Sequence, residues 1–185
     1  MTEMTRRLVH TRSIRVDAYL RHDALWDLVA AIQDIKQRDF PLDGRVTQAG
    51  EPVHDMELTV TINPFLQIVA ARARTLAAPY MGACDAFAGA YEKLVGLNLV
   101  HGFRAAVRER LGGTKGCTHL TELCSVLPTA AIQAFAGEVL RVDADGAIMP
   151  MQLDRCHALR RDGPVVARLY PRWQRAADPQ EGDKR

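Results

Sequence analysis

The stretch HDMELTVTINPFLQIVAARART, His54–Thr75, decides the fold. Met56, Leu58, Val60 and Ile62 alternate with Glu57, Thr59 and Thr61, the period-two pattern of a strand with one face buried. Asn63-Pro64 turns the chain, and the alternation resumes through Leu66, Ile68 and Ala70 to Ala73. Residues 55–75 are therefore expected to form an antiparallel hairpin whose apolar face needs a second layer.

Upstream, Ile14, Val16 and Ala18 alternate with Arg15, Asp17 and Tyr19, another strand pattern. Residues 24–36 fit two templates. Leu25, Leu28, Val29, Ile32 and Ile35 suit a helix, whereas Trp26, Leu28, Ala30 and Ile32 suit a strand with Asp27 and Asp34 near its ends. The strand is preferred because the hairpin needs a neighbour. Residues 39–53, with two prolines and two glycines, read as a loop, and residues 1–11 as a polar arm.

The second layer comes from downstream. Asp85 is placed to cap a helix with the stripe Phe87, Ala90, Tyr91, Leu94 and Val95. After the connector 96–102, Phe103, Ala106, Val107 and Leu111 make a short helix ending at Gly112-Gly113. A third helix, capped by Thr118, buries Leu120, Leu123, Cys124, Leu127, Ala131, Ala134 and Phe135. Short strands are expected at 139–142 and 165–170, with a turn at Asp145-Gly146. The expected fold is α+β: a three-stranded antiparallel meander, then three helices packed on one face, then a C-terminal extension. One domain spans 12–173, with its sheet in 12–75, its helices in 84–136 and the extension in 137–173. Residues 174–185 read as a disordered tail.

Composition narrows the function classes. Hydrophobic residues at 48%, charged residues at 25% and a net charge of +2 are ordinary globular values that give no reason to expect nucleic acid. No apolar run approaches a membrane span and MTEMTRRLVH lacks the apolar core of a signal peptide, so a cytoplasmic protein is expected. There, four cysteines are expected as reduced thiols, and those near histidines become candidates for metal binding or catalysis.

Cys117 stands just before the third helix, where the positive end of the dipole favours thiolate, and His119 follows two residues later. Cys84 precedes the first helix in the same way. Cys84, Cys117 and His119 offer three metal donors, with His54, Cys156 or His157 as a fourth for zinc or an iron–sulfur centre. His54-Asp55 also reads as an oriented imidazole base or as a turn capping the hairpin. His10, His22 and His101 read as surface residues, and Asp143-Ala-Asp145-Gly146 as a turn despite its passing likeness to a calcium loop.

The stretches EPVHDMELTVTIN, KLVGLNLVHGFRAAVRERLGGTKGCTHLTEL and LDRCHALRRDGPVVARLYPRW resemble the bacterial family of domain of unknown function 2889. The order of elements, with Cys84-Asp85 opening one helix and Cys117 and His119 opening another, also resembles the NifU and IscU type of iron–sulfur assembly scaffold. That resemblance implies zinc or a nascent cluster held by Cys84, Asp85, Cys117 and His119, although no cysteine occurs in the connector 96–102 and Cys-Thr-His replaces an adjacent His-Cys. Three functions stay open: a metal-binding module, zinc or iron–sulfur; a small enzyme with Cys117 and His119 at its active site; and an adaptor whose Cys and His residues are packing. A small-molecule ligand or a protein partner fits these readings.

Overall fold

A computed structural model of the chain describes residues 6–139 and 148–176. The chain divides into two compact units, Met1–Ala134 and Phe135–Arg185. Among the described residues of the first are six strands: β1 (His10–Leu20), β2 (Trp26–Lys36), β3 (Phe40–Leu42), β4 (Arg45–Thr47), β5 (Pro52–Ile62) and β6 (Ile68–Ala77). The main sheet is antiparallel in the order β1-β2-β5-β6, and β3 and β4 form a separate small hairpin inside the expected loop. The meander thus has four strands where three were expected. Alternation at Ile14–Ala18 marks a full member of the sheet, paired with β2 over all its residues and starting at His10, inside the expected arm.

The strand reading of residues 24–36 holds. Trp26, Leu28, Ala30 and Ile32 are buried and Asp27, Val29, Ala31 and Gln33 only partly so, which puts the covered face on the even-numbered residues. Met56, Leu58, Val60 and Ile62 continue that face on β5, each fully buried. The opposite face is half-buried on β2 and β5. Two bulges interrupt the β5 ladders at one end: β2 shifts against β5 between Asp34 and Ile35, and β6 shifts against β5 between Asp55 and Met56. Bulges re-aim side chains, and these two flank His54.

The helical layer differs from expectation in its first member. Asp85–Leu94 is a 3-10 segment; Tyr91 and Leu94 are buried, but Phe87 and Val95 are exposed. Asp85 does not cap this segment: its carboxylate accepts the Gly82 N–H in the preceding turn, and Cys84 occupies the cap position. The two further helices are α1 (Phe103–Leu111), ending at Gly112 as expected, and α2 (Thr118–Phe135). In α2, Leu120, Leu123, Cys124, Leu127, Ala131 and Phe135 are buried at three- and four-residue spacing. The Thr121 N–H bonds to the Cys117 carbonyl, so Cys117 rather than Thr118 takes the N-cap position.

In the second unit, Leu153, Val166 and Tyr170 form a small core with Leu159 and Trp173. The strand expected at 165–170 is a helix, α3 (Pro164–Leu169). Pro164 at its first turn, where no N–H is needed, favours helix, and six apolar-rich residues carry too little periodicity to exclude it. Residues 140–142 of the other expected strand, Asp143, the Asp145-Gly146 turn and residues 177–185 lie outside the described residues.

Candidate metal centre

Asp34 extends the buried stripe of β2 by one more even position, so a carboxylate falls where the pattern Trp26, Leu28, Ala30, Ile32 would place another apolar side chain. It is 4% exposed. Burying an ionised carboxylate is costly unless donors surround it. Arg12 on β1, directly across from Asp34, supplies two: Nε donates to Oδ1 and Nη2 to Oδ2, each at 2.8 Å. His10 Nε2 lies 2.9 Å from Oδ1. The Arg12 hydrogen bonds hold the Asp34 carboxyl well below the usual carboxylate range, against the opposing effect of burial. Arg12 Nη1 in turn donates to Glu122 on α2 at 2.8 Å, tying that helix to the sheet.

Two imidazoles close over the same carboxylate. His54, paired with Asp34 in the β2–β5 ladder, brings Nδ1 to 3.1 Å from Asp34 Oδ2. His119, in the first turn of α2, brings Nε2 to 3.4 Å from that oxygen. The rings stack with centroids 3.8 Å apart and a tilt of 31°. Burial lowers the pKa of both imidazoles; for His54 the neighbouring His119 adds to the effect, and for both Asp34 opposes it. Neutral imidazoles and an ionised carboxylate are the protonation states that bind a cation.

His54 Nδ1 is a buried atom, and the polar atom it faces is Asp34 Oδ2. Asp34, His54 and His119 each offer one donor atom, all within 4.8 Å of one another, and Nδ1 of His54 and Nε2 of His119 are the nitrogens that approach Asp34 Oδ2. Donors about 2.0–2.2 Å from a tetrahedral metal stand about 3.3–3.6 Å apart, close to the 3.1 and 3.4 Å separations found here. Ligating carboxylates are themselves commonly hydrogen-bonded, the part Arg12 and His10 play.

Cys117 lies on the other side of His119. Its Sγ is 4.0 Å from His119 Nδ1 and 3.8 Å from Met56 Sδ. Buried Tyr91 fixes the turn that carries both residues: its hydroxyl donates to the Cys117 carbonyl at 2.8 Å, accepts the Cys117 N–H at 3.1 Å, and lies 2.8 Å from Thr121 Oγ1. Gly116 permits this approach, since a Cβ there would stand 2.8 Å from the Leu111 carbonyl oxygen and 3.2 Å from the Tyr91 hydroxyl.

Of the residues singled out in the sequence, the structure brings together His54, Cys117 and His119. Cys84 is outside this grouping, in the turn where its N–H bonds to the Tyr80 carbonyl. Cys156, which is exposed, and His157 belong to the C-terminal unit. His10, read as a surface residue, is a half-exposed member of the Asp34 network. Asp34, Arg12 and Glu122 were not anticipated. The available signal for Asp34 was its parity, a carboxylate in step with four buried residues.

Residues 10–133 match the family described as "Protein of unknown function (DUF2889)". The chain belongs to this family. The DUF2889 match contains His10, Arg12, Asp34, His54, His119 and Glu122, together with Cys84 and Cys117, and it stops short of Cys156 and His157. Neither the curated proteins nor the solved structures give a match to the chain.

Proposed function

We propose that this DUF2889 chain binds one divalent transition-metal ion through His54 Nδ1, His119 Nε2 and Asp34 Oδ2. The observation that carries the proposal is the convergence of half-buried His54 Nδ1 and His119 Nε2 on one buried Asp34 oxygen, at 3.1 and 3.4 Å. Two nitrogen lone pairs and an anionic oxygen at this distance repel one another unless a cation or a proton lies among them. Imidazole and carboxylate donors suit zinc or ferrous iron; an iron–sulfur cluster needs thiolates, and the converging donors include none. Three protein ligands leave a coordination position for water or substrate, the arrangement of metal sites that do chemistry.

Elemental analysis of anaerobically purified protein tests this. About one metal per chain is expected, lost in His54→Ala and His119→Ala and retained in Cys84→Ser and Cys156→Ser. Metal-free protein that also fails to bind added zinc or ferrous iron overturns it.

A second reading has its own observation. His119 stands between Cys117 and Asp34, with Nδ1 4.0 Å from the thiol sulfur and Nε2 3.4 Å from the carboxylate. A nucleophile, a base and a group that orients the base occupy this order in thiol enzymes. This reading expects Cys117 to alkylate faster than the exposed Cys156 in metal-free protein, and His119→Ala to abolish that difference. Equal rates count against it.

A further inference from the structure

We infer that β1 pairs with β1 of a second copy of this chain, in antiparallel register centred on Val16, to make one continuous eight-stranded sheet. Three observations lead there.

Among the described residues, no strand pairs with the outer edge of β1. This strand is 11 residues long, contains no proline and pairs with β2 without a bulge, so neither shortness, proline nor a bulge blunts it; of its charged residues, Arg12 is engaged by Asp34 and Glu122, and Arg15 and Asp17 are of opposite sign. The other edge strand, β6, is covered at its start by residues 96–99 through bonds between Ile68 and Leu97, Ile68 and Gly96, and Leu66 and Leu99. The inner face of β1 is also left uncovered by the helical layer. Ile14 is 37% and Leu20 58% exposed, although both share the face that is fully buried on β2.

The free hydrogen-bonding groups of this edge can be assigned. The Arg21 N–H bonds to the Leu25 carbonyl at one end of the β1–β2 ladder, and the Gln37 N–H to the Val9 carbonyl at the other. Hydrogen-bonded pairs alternate in an antiparallel ladder, so the odd-numbered residues of β1 bond to β2. The N–H and C=O groups of Arg12, Ile14, Val16 and Ala18 therefore point outward, away from the sheet.

Charge selects both the register and the occupant. A two-fold axis perpendicular to the sheet pairs residues of one face, so it passes through a residue. Through Arg15 it sets Arg15 against the partner's Arg15; through Asp17 it sets Asp17 against the partner's Asp17. Through Val16 it sets Arg15 against the partner's Asp17 and Asp17 against the partner's Arg15, at non-hydrogen-bonded positions where side chains come closest. Val16 then exchanges both backbone bonds with the partner's Val16, and Ile14 faces the partner's Ala18. One strand that is its own complement in apolar contact, hydrogen bonding and charge fits a second copy of itself. Arg12 would lie across from the partner's Leu20, at the margin of the Asp34 cluster.

Sedimentation equilibrium of the full chain over a wide concentration range tests the pairing. The wild type is expected to be a dimer. Val16→Pro removes an outward N–H but none from the β1–β2 ladder, and it is expected to be monomeric with an unchanged far-UV circular dichroism spectrum. Arg15→Asp sets two aspartates against each other at both sites and is expected to weaken dimerisation by about tenfold or more. The double exchange Arg15→Asp with Asp17→Arg is expected to restore it. A wild type that is monomeric throughout, or a dimer that survives both Val16→Pro and Arg15→Asp, overturns the proposal. Should Val16→Pro fail to fold, the charge exchange alone decides.

Discussion

Asp34→Asn is the substitution that probes the centre most directly, because Asp34 is bonded by Arg12 and His10 of β1 and faces both imidazoles. Either orientation of the asparagine amide sets its NH2 against one of the two Arg12 donors that now lie 2.8 Å from the carboxylate oxygens. Removing one partner of a buried ion pair costs about 3–5 kcal/mol, chiefly because the other charge is left uncompensated. Here that charge is Arg12, whose side chain is 36% exposed and keeps Glu122 at 2.8 Å, so about half the cost should survive, about 2 kcal/mol. For a chain of this size that corresponds to about 4–8 °C in Tm. Urea unfolding in the presence of a chelator measures it without any contribution from metal. A Trp173→Phe background leaves Trp26, buried on β2, as the reporter for the first unit. A loss under about 0.5 kcal/mol, the size of an ordinary surface substitution, would refute the reasoning that Asp34 is a buried hub.

The pH dependence of metal-free protein follows from the lowered imidazoles: the unfolded chain takes up protons near the ordinary histidine value, whereas folded His54 and His119 do so only at lower pH. Their contribution is complete above about pH 6.5 and is lost as pH falls, by at most about 1.4 kcal/mol per pH unit for each group. Asp34, with its pKa depressed, keeps its contribution across that window and loses it only in strong acid. A Tm that is flat or rises between pH 7 and 5.5 would contradict this. Tyr91→Phe should cost about 1–3 kcal/mol, because the Cys117 N–H loses its buried acceptor, and should raise hydrogen exchange at Cys117. Unchanged exchange would mean that another group holds the turn. Among the cysteines, Cys124 is 1% exposed and burial pushes its thiol up to about 12, so it should be the last to alkylate in native protein, well after Cys156; rapid labelling at Cys124 would show that α2 opens locally.

β5 and α2 were legible because long, strongly periodic segments leave one reading: even residues of 56–62, and the stripe from Leu120 to Phe135; residues 24–36 fitted helix as well, and only the hairpin's need for a neighbour decided for strand. Shorter segments were not legible. Residues 85–94 carry helical spacing but pack as a 3-10 segment, with Phe87 in water, and 165–170 read as strand because six apolar-rich residues satisfy either period. In the site, Cys117, His119 and His54 stood out by chemistry. Asp34 and Arg12 did not, since aspartate and arginine on strands are ordinarily solvated, and only pairing across β1 and β2 shows that each neutralises the other. Cys84 and Cys117 each stand just before a helical segment but are held differently: the Cys84 N–H bonds to the Tyr80 carbonyl, whereas the Cys117 N–H bonds to the Tyr91 hydroxyl.

The centre draws on residues remote in the chain. His10 and Asp34 are 24 positions apart, and Arg12 and Glu122 are 110 apart. No hairpin or isolated helix can assemble it, because β1, β2, β5 and α2 each supply an indispensable part. A cation that recognises the cluster therefore meets its ligands only in a chain that is nearly native. Such an ion would act late: it would slow unfolding far more than it hastened folding, and would extend the lifetime of the folded protein without guiding its formation.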